Sequence, residues 1–185
     1  MYVFEKPGKL NTQKACEIAV ETAMKSGMDI VASTTEGYAG KTLCEISSSK
    51  GFSGRIVIVT HCYGSREPGK NALTQENRIA IEKHGAVLVT AAHALSGAER
   101  GISSRFSGIY PAEIIAQSLR MLSQGIKVVV EIGAMALDAG VITYGNPIVC
   151  MGGTGHGLDT AVVMDPAYSS HIFESNIHEI ICMPY

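Results

Sequence analysis

Hydroxyl-bearing residues, glycine and histidine gather in four stretches of the chain. These are Ser33-Thr34-Thr35-Glu36-Gly37, Thr60-His61-Cys62-Tyr63-Gly64, Ala92-His93-Ala94-Leu95-Ser96-Gly97 and Gly152-Gly153-Thr154-Gly155-His156-Gly157. Each follows a short apolar run. Serine and threonine hydroxyls donate to oxyanions, and glycine lets a ligand come close to backbone N–H groups. Histidine carries or accepts a proton near neutral pH. The chemistry these residue types can do together is to hold an anionic small molecule, with an imidazole available as acid or base.

The first stretch continues into Gly40-Lys41-Thr42, the ending of a Walker A loop. That motif, G-x-x-x-x-G-K-[ST], requires glycine where Thr35 stands. No apolar run ends in a clear Walker B aspartate, because Asp165 after Val162-Val163-Met164 is followed by Pro166. A loop entering a helix N-terminus still favours an anion, through unpaired N–H groups and the helix dipole. A phosphate monoester or sugar phosphate is therefore expected at Ser33, Thr34, Thr35 and Gly37 rather than ATP. Lys41 reads either as a cation for that phosphate or as a solvated residue of the first helical turn.

His61 and His93 each follow a predicted strand, which places them near each other. One can serve as a general acid or base, and both can hydrogen-bond a ligand. The spacing contains no H-x-x-x-H or comparable ligand set, so no metal is expected. There is no G-x-S-x-G elbow for a serine nucleophile. Cys62 beside His61 reads as a packed thiol or a reactive one. Further along, Arg100 and Arg105 have the planar fork that grips phosphate or carboxylate, or else they pair with Glu99 and Glu113.

The elements that must position these residues alternate along the chain. Helices are predicted over 12–26, capped by Asn11 and ended by Gly27, over 40–48, over 75–84 with Thr74 as cap, and from Pro111 to Leu122. Strands are predicted over 29–33, 55–60, 86–90, 147–151, 160–164 and 178–183. Residues 91–109 lack a period and read as a long irregular loop. Gly125–Gly140 combines a strand-like Val128-Val129-Val130 with a helical stripe, and its length favours helix. Repeated β-then-α order predicts a parallel sheet with helices on both faces. The short connections between the last strands require one antiparallel member, 160–164 or 178–183. In such a sheet ligands bind at the carboxyl ends of the strands, where all four stretches fall.

Composition narrows the class. The chain has 185 residues, 46% of them apolar and only 17% charged, with a net charge of −2. One domain over 1–185 is expected. The low charge fits a compact globule, with a homo-oligomer interface as an option. No basic stripe appears, which argues against nucleic acid. Five cysteines without C-x-x-C spacing fit free thiols in a reducing compartment. No signal sequence or bilayer-length apolar run is evident, so a cytoplasmic protein without a membrane partner is expected.

Several stretches carry a family resemblance. Among them are Phe4-Glu5-Lys6-Pro7-Gly8-Lys9, Val31-Ala32-Ser33-Thr34 and Val59-Thr60-His61. The most specific are His93-Ala94-Leu95-Ser96-Gly97 and Arg100-Gly101-Ile102-Ser103 followed by Arg105-Phe106. Asp138-Ala139-Gly140, Gly152-Gly153-Thr154 and Asp159-Thr160-Ala161 extend the likeness over nearly the whole chain. The chain resembles stand-alone proteins related to the C-terminal α/β domain of pyruvate kinase.

That resemblance implies a three-layer α/β/α sandwich, mostly parallel with an antiparallel strand. It implies a Ser/Thr/Gly phosphate loop after the first of the core strands, matching Ser33, Thr34, Thr35 and Gly37. It also implies bound FMN. The strand-end reading places Thr60, His61, His93, Gly152, Gly153 and Thr154 around that ligand, and the fork reading adds Arg105. It implies no established catalysis, since the kinase's catalytic barrel is absent. The alternative is a flavin-dependent oxidoreductase or sugar-phosphate enzyme using His61 or His93. The family loop reads S-T-x-G-x-T-A, so either Gly37 or Gly40 makes its turn.

Overall fold

A computed structural model describes residues 1–185. The first helix, α1 (Thr12–Ser26), buries Ala15, Cys16, Ala19, Val20 and Ala23, the stripe expected of a helix lying on a sheet. Gly27 ends it at φ 66°, a conformation glycine adopts without strain. Asn11 precedes α1 but does not cap it through its side chain. Its amide donates instead to the Lys6 carbonyl at 2.7 Å.

Strands β2 (Asp29–Thr34), β3 (Ile56–Thr60) and β4 (Val87–Thr90) follow, separated by α2 (Tyr38–Lys50) and α3 (Gln75–Lys83). Thr74 caps α3 as expected, its hydroxyl accepting from the Asn77 N–H at 3.3 Å. Then come α4 (Gly97–Phe106), α5 (Pro111–Arg120), α6 (Gln124–Asp138), β5 (Ile148–Gly152), β6 (Thr160–Asp165) and β7 (Asn176–Pro184). A short N-terminal strand, β1 (Tyr2–Phe4), pairs parallel with β7.

The seven strands form one sheet in the order β1-β7-β6-β5-β2-β3-β4. β6 is antiparallel to both β5 and β7, and every other pairing is parallel. The antiparallel member is thus 160–165, one of the two expected. Alternation along the strands splits the core into two. Ile30, Ala32, Ile58, Val149 and Met151 pack under α1, α2 and α3. Val31, Val57, Val59, Ile148 and Cys150 pack under α6, and α5 leans on α6. The result is a three-layer α/β/α sandwich.

Gly125–Gly140 is helical, as its length predicted: in α6 twelve residues from Gly125 to Leu137 are buried. Ser123 caps it, accepting from the Ile126 N–H at 3.0 Å. Two expectations change. Residues 91–109 are not irregular throughout, because α4 occupies ten of them. It buries none of its residues, so no apolar stripe marks it. Glu99 on α4 instead accepts from the Ala112 and Glu113 N–H groups at 3.2 and 2.9 Å, joining α4 to the start of α5. The second change is β1, a three-residue edge strand too short to show alternation.

Candidate functional site

The register puts Thr34, Thr60 and Thr90 opposite one another at the carboxyl ends of β2, β3 and β4. The Thr60 and Thr90 hydroxyls lie 2.7 Å apart, and Thr60 also donates to the His61 carbonyl at 3.0 Å. Above this row opens a cleft of about 290 Å³. Ser33, Thr34, Thr35, Thr60, His61, His93 and Gly153 all line it. The strand-end stretches therefore converge on one mouth, as topology at the carboxyl edge demands.

The turn from β2 into α2 belongs to Gly37. It is the residue before the helix, at φ 109°, and a Cβ there would sit 2.3 Å from the Asn77 Cβ. Gly40 is already inside α2, packed so that a Cβ would meet Ile58 and Ile81 side chains at 3.0 Å. Of the N–H groups in the first turn of α2, that of Gly40 is taken by the Thr34 hydroxyl at 3.3 Å. Those of Tyr38 and Ala39 have no such side-chain cap, and both residues line the cleft. Lys41 is absent from the lining and lies 4.0 Å from Glu45. The cation at the mouth is Lys9, whose ammonium stands 4.1 Å from the centre of the Tyr38 ring.

Lys9 reaches the mouth because the N-terminal segment is tied to the loop after β5. Asp159 is fully buried and accepts from Gly8 N–H at 2.8 Å, Thr154 N–H at 3.1 Å and the Thr160 hydroxyl at 2.9 Å. Thr12 accepts from the Leu158 N–H at 3.1 Å. This tie needs close backbone approach: a Cβ on Gly157 would lie 2.8 Å from the Lys9 Cα. Thr154 thus spends its N–H on Asp159. Gly152 lies under α6, where a Cβ would stand 2.6 Å from the Gly125 carbonyl oxygen, and it does not line the cleft. Arg105 is exposed on α4 and outside the cleft as well.

His61 and His93 stack with ring centres 4.8 Å apart. The Nδ1 of His93 is 3.4 Å from Glu131 Oε2. Glu131, 2% exposed, also pairs with Lys127, 5% exposed, and its other oxygen accepts from the Leu95 N–H at 3.1 Å. Burial alone would raise the Glu131 pKa, but the contacts of His93 and Lys127 outweigh it and hold the carboxyl at about 2. Burial lowers the pKa of Lys127 against the pull of Glu131. Burial, with the neighbouring His93 and Arg66, lowers that of His61. The His93 Nε2 is buried and has no hydrogen-bond partner. Of the two ring nitrogens, Nδ1 is thus the one that faces Glu131, and Nε2 is the one without a partner.

Lys127, Glu131 and Lys9 went unselected in the sequence because each is remote in the chain from the four stretches. The Lys127-x-x-x-Glu131 spacing on an otherwise apolar helix was the available signal, since charges buried there must pair.

A mixed seven-stranded α/β/α sandwich with a cleft at the carboxyl strand ends defines the class of fold. A family profile described as pyruvate kinase, alpha/beta domain, matches residues 13–164, and the chain belongs to that family. Solved structures overlap it only loosely. A cysteine synthase from Entamoeba histolytica is 16% identical, with 75% of this chain and 47% of that one covered and a TM-score of 0.32. A pyridoxal 5'-phosphate-dependent aspartate racemase is 19% identical over 69% of this chain and 34% of that one, with a TM-score of 0.33. An O-ureido-L-serine synthase is 18% identical over 71% and 48%, at 0.31. The chain spans less than half the length of these structures, and overlaps at this level carry no functional argument.

Proposed function

We propose that the cleft binds a phosphorylated small molecule, FMN foremost, with its phosphate on Ser33, Thr34, Thr35 and the start of α2. The observation that carries this reading is the convergence of the Ser33–Thr35 hydroxyls with the Tyr38 and Ala39 N–H groups at one helix N-terminus. Lys9 supplies a compensating charge. Val59, Ile132 and Met135 offer an apolar wall for a planar ring, and Thr60, His61 and His93 offer hydrogen bonds to its edge. The donor set fits a phosphate joined to a flat heterocycle.

The test is titration of the purified chain with FMN, followed by flavin fluorescence and by melting temperature. Ligand at about 100 times its dissociation constant stabilises the folded state by about 2.7 kcal/mol. A flat melting curve at every FMN concentration removes the flavin assignment, and the same result with sugar phosphates removes the phosphate cleft.

A second reading treats the same cleft as an active site, a flavin-dependent oxidoreductase or a sugar-phosphate enzyme. It rests on the Glu131 contact at His93 Nδ1, which orients the ring and leaves Nε2 without a hydrogen-bond partner. His93, or His61 stacked on it, is then the acid or base.

A further inference from the structure

A second cavity, of about 690 Å³, is lined by residues of α4, α5 and α6 and shares His61, His93 and Glu131 with the cleft. Its charged groups are not equally committed. Glu131 is held by Lys127 and the Leu95 N–H. Glu99 accepts from the two N–H groups that open α5. Arg100 has no side-chain hydrogen bond or ion pair. Arg120 uses only its Nε, donating to Gln124 Oε1 at 2.6 Å, and meets no carboxylate. By contrast Arg66 and Arg78 each pair with a glutamate. Glu113 lines the same cavity with its carboxylate unpaired. The Arg100 guanidinium and the uncommitted terminal nitrogens of Arg120, in one concavity, suit a planar, two-oxygen anion. The uncommitted Glu113 repels a bare anion and rewards a ligand that also carries a donor.

We propose that this cavity is a second ligand site for a small carboxylate bearing a hydroxyl or ammonium group, its carboxylate on Arg100 and Arg120 and its donor on Glu113. Arg100, Glu113 and Arg120 all lie outside the lining of the phosphate cleft. Their shared wall sets the imidazoles of His61 and His93 between the two ligands.

The experiment is melting temperature and calorimetry on the full chain with L-malate, L-aspartate, succinate and inorganic phosphate at constant ionic strength. Malate or aspartate is expected to bind saturably, and at least fivefold more tightly than succinate. R100Q and R120Q each weaken that binding at least tenfold, E113Q abolishes the preference over succinate, and Ser33→Ala leaves all three unchanged. R100Q, on an exposed position of α4, keeps the test valid if R120Q disturbs α5 and α6. No saturable carboxylate binding, or binding untouched in R100Q and R120Q, overturns the proposal. So does phosphate binding more tightly than malate and lost in R100Q, which makes the site one for phosphate esters. The FMN titration is read separately, so either site can fail alone.

Discussion

Lys127 and Glu131 form a buried ion pair one helical turn apart on α6, in the helix that covers the centre of the sheet. Two charges in such a place cost several kcal/mol to desolvate, and removing one leaves the other without compensation. Glu131→Gln and Lys127→Met are each expected to destabilise the fold by about 3 kcal/mol or more. Changing both to leucine recovers part of the loss, because an apolar pair of similar volume avoids the desolvation cost. The pH dependence follows from the depressed Glu131 pKa. Its folded value of about 2 lies below its ordinary 4.5. Ionised Glu131 therefore contributes stability that is fully present above about pH 5 and is lost as pH falls toward 2. The span corresponds to roughly 3 kcal/mol. Urea denaturation between pH 2 and pH 7 should show a steeper slope in the wild type than in Glu131→Gln, where Glu21 and Glu36 still contribute. An identical slope in both removes Glu131 from the account.

Where a local pattern decides the outcome, the sequence was legible. Ile56-Val57-Ile58-Val59-Thr60 is apolar on both faces because both faces are covered, and it reads as a central parallel strand. Thr74 and Gly27 mark helix ends by side-chain and backbone chemistry that acts over three or four residues. The convergence of Ser33, Thr34, Thr35, Thr60, His61, His93 and Gly153 was legible too, because strand ends in a parallel sheet share an edge. What escaped depends on contacts between distant segments. Lys9 enters the cleft through contacts remote in sequence, Asp159 with the Gly8 N–H and Thr12 with the Leu158 N–H. Arg105 looked like a ligand fork, yet α4 turns it away from both cavities. Gly152 sat in a glycine-rich run that suggested a ligand loop, but its lack of a side chain admits α6.

Burial sorts the five cysteines, all of which are unpaired. Cys16, Cys44, Cys150 and Cys182 are buried, and desolvation pushes the Cys44 thiol up to about 11 and that of Cys182 to about 12. Burial moves Cys16 and Cys150 upward as well. The thiolate is the reactive form, so these four are inert in the folded chain. Cys62 is half-buried and lines the second cavity. A chromogenic disulfide added to the native protein at pH 8 should consume about one thiol quickly, and all five only after denaturation. Malate protection of the fast thiol would additionally support the second ligand site. Rapid reaction of two or more thiols in the native state would contradict the packing of the sheet.

Ser107 is the one non-glycine residue at positive φ, 61°, and it ends α4. With ψ at −179° it lies in a region that only glycine occupies easily. Such a conformation costs about 1–3 kcal/mol, and glycine would relieve it while gaining some freedom in the unfolded chain. Ser107→Gly is expected to stabilise by about 1 kcal/mol, raising the melting temperature by about 2–4 °C. A lower melting temperature in the variant would mean that the serine side chain contributes more than the strain costs.

The phosphate assignment is tested most cleanly at Ser33. Thr34 also accepts from the Gly40 N–H at the start of α2, so Thr34→Ala removes a cap, worth about 0.5–2 kcal/mol of stability, together with a ligand donor. Ser33 has no side-chain hydrogen bond of this kind, and Ser33→Ala should leave folding nearly unchanged. A hydrogen bond to a charged group contributes about 1.5–3 kcal/mol, and 1.4 kcal/mol is tenfold in affinity. Ser33→Ala should therefore weaken FMN by about tenfold to a hundredfold. Riboflavin, which lacks the phosphate, should lose less than threefold. Thr34→Ser keeps a hydroxyl for both duties and should retain FMN binding. Fluorescence titration of the two flavins against the variants reads each value. If riboflavin weakens as much as FMN, Ser33 meets the ring or the ribityl chain, and the phosphate lies elsewhere.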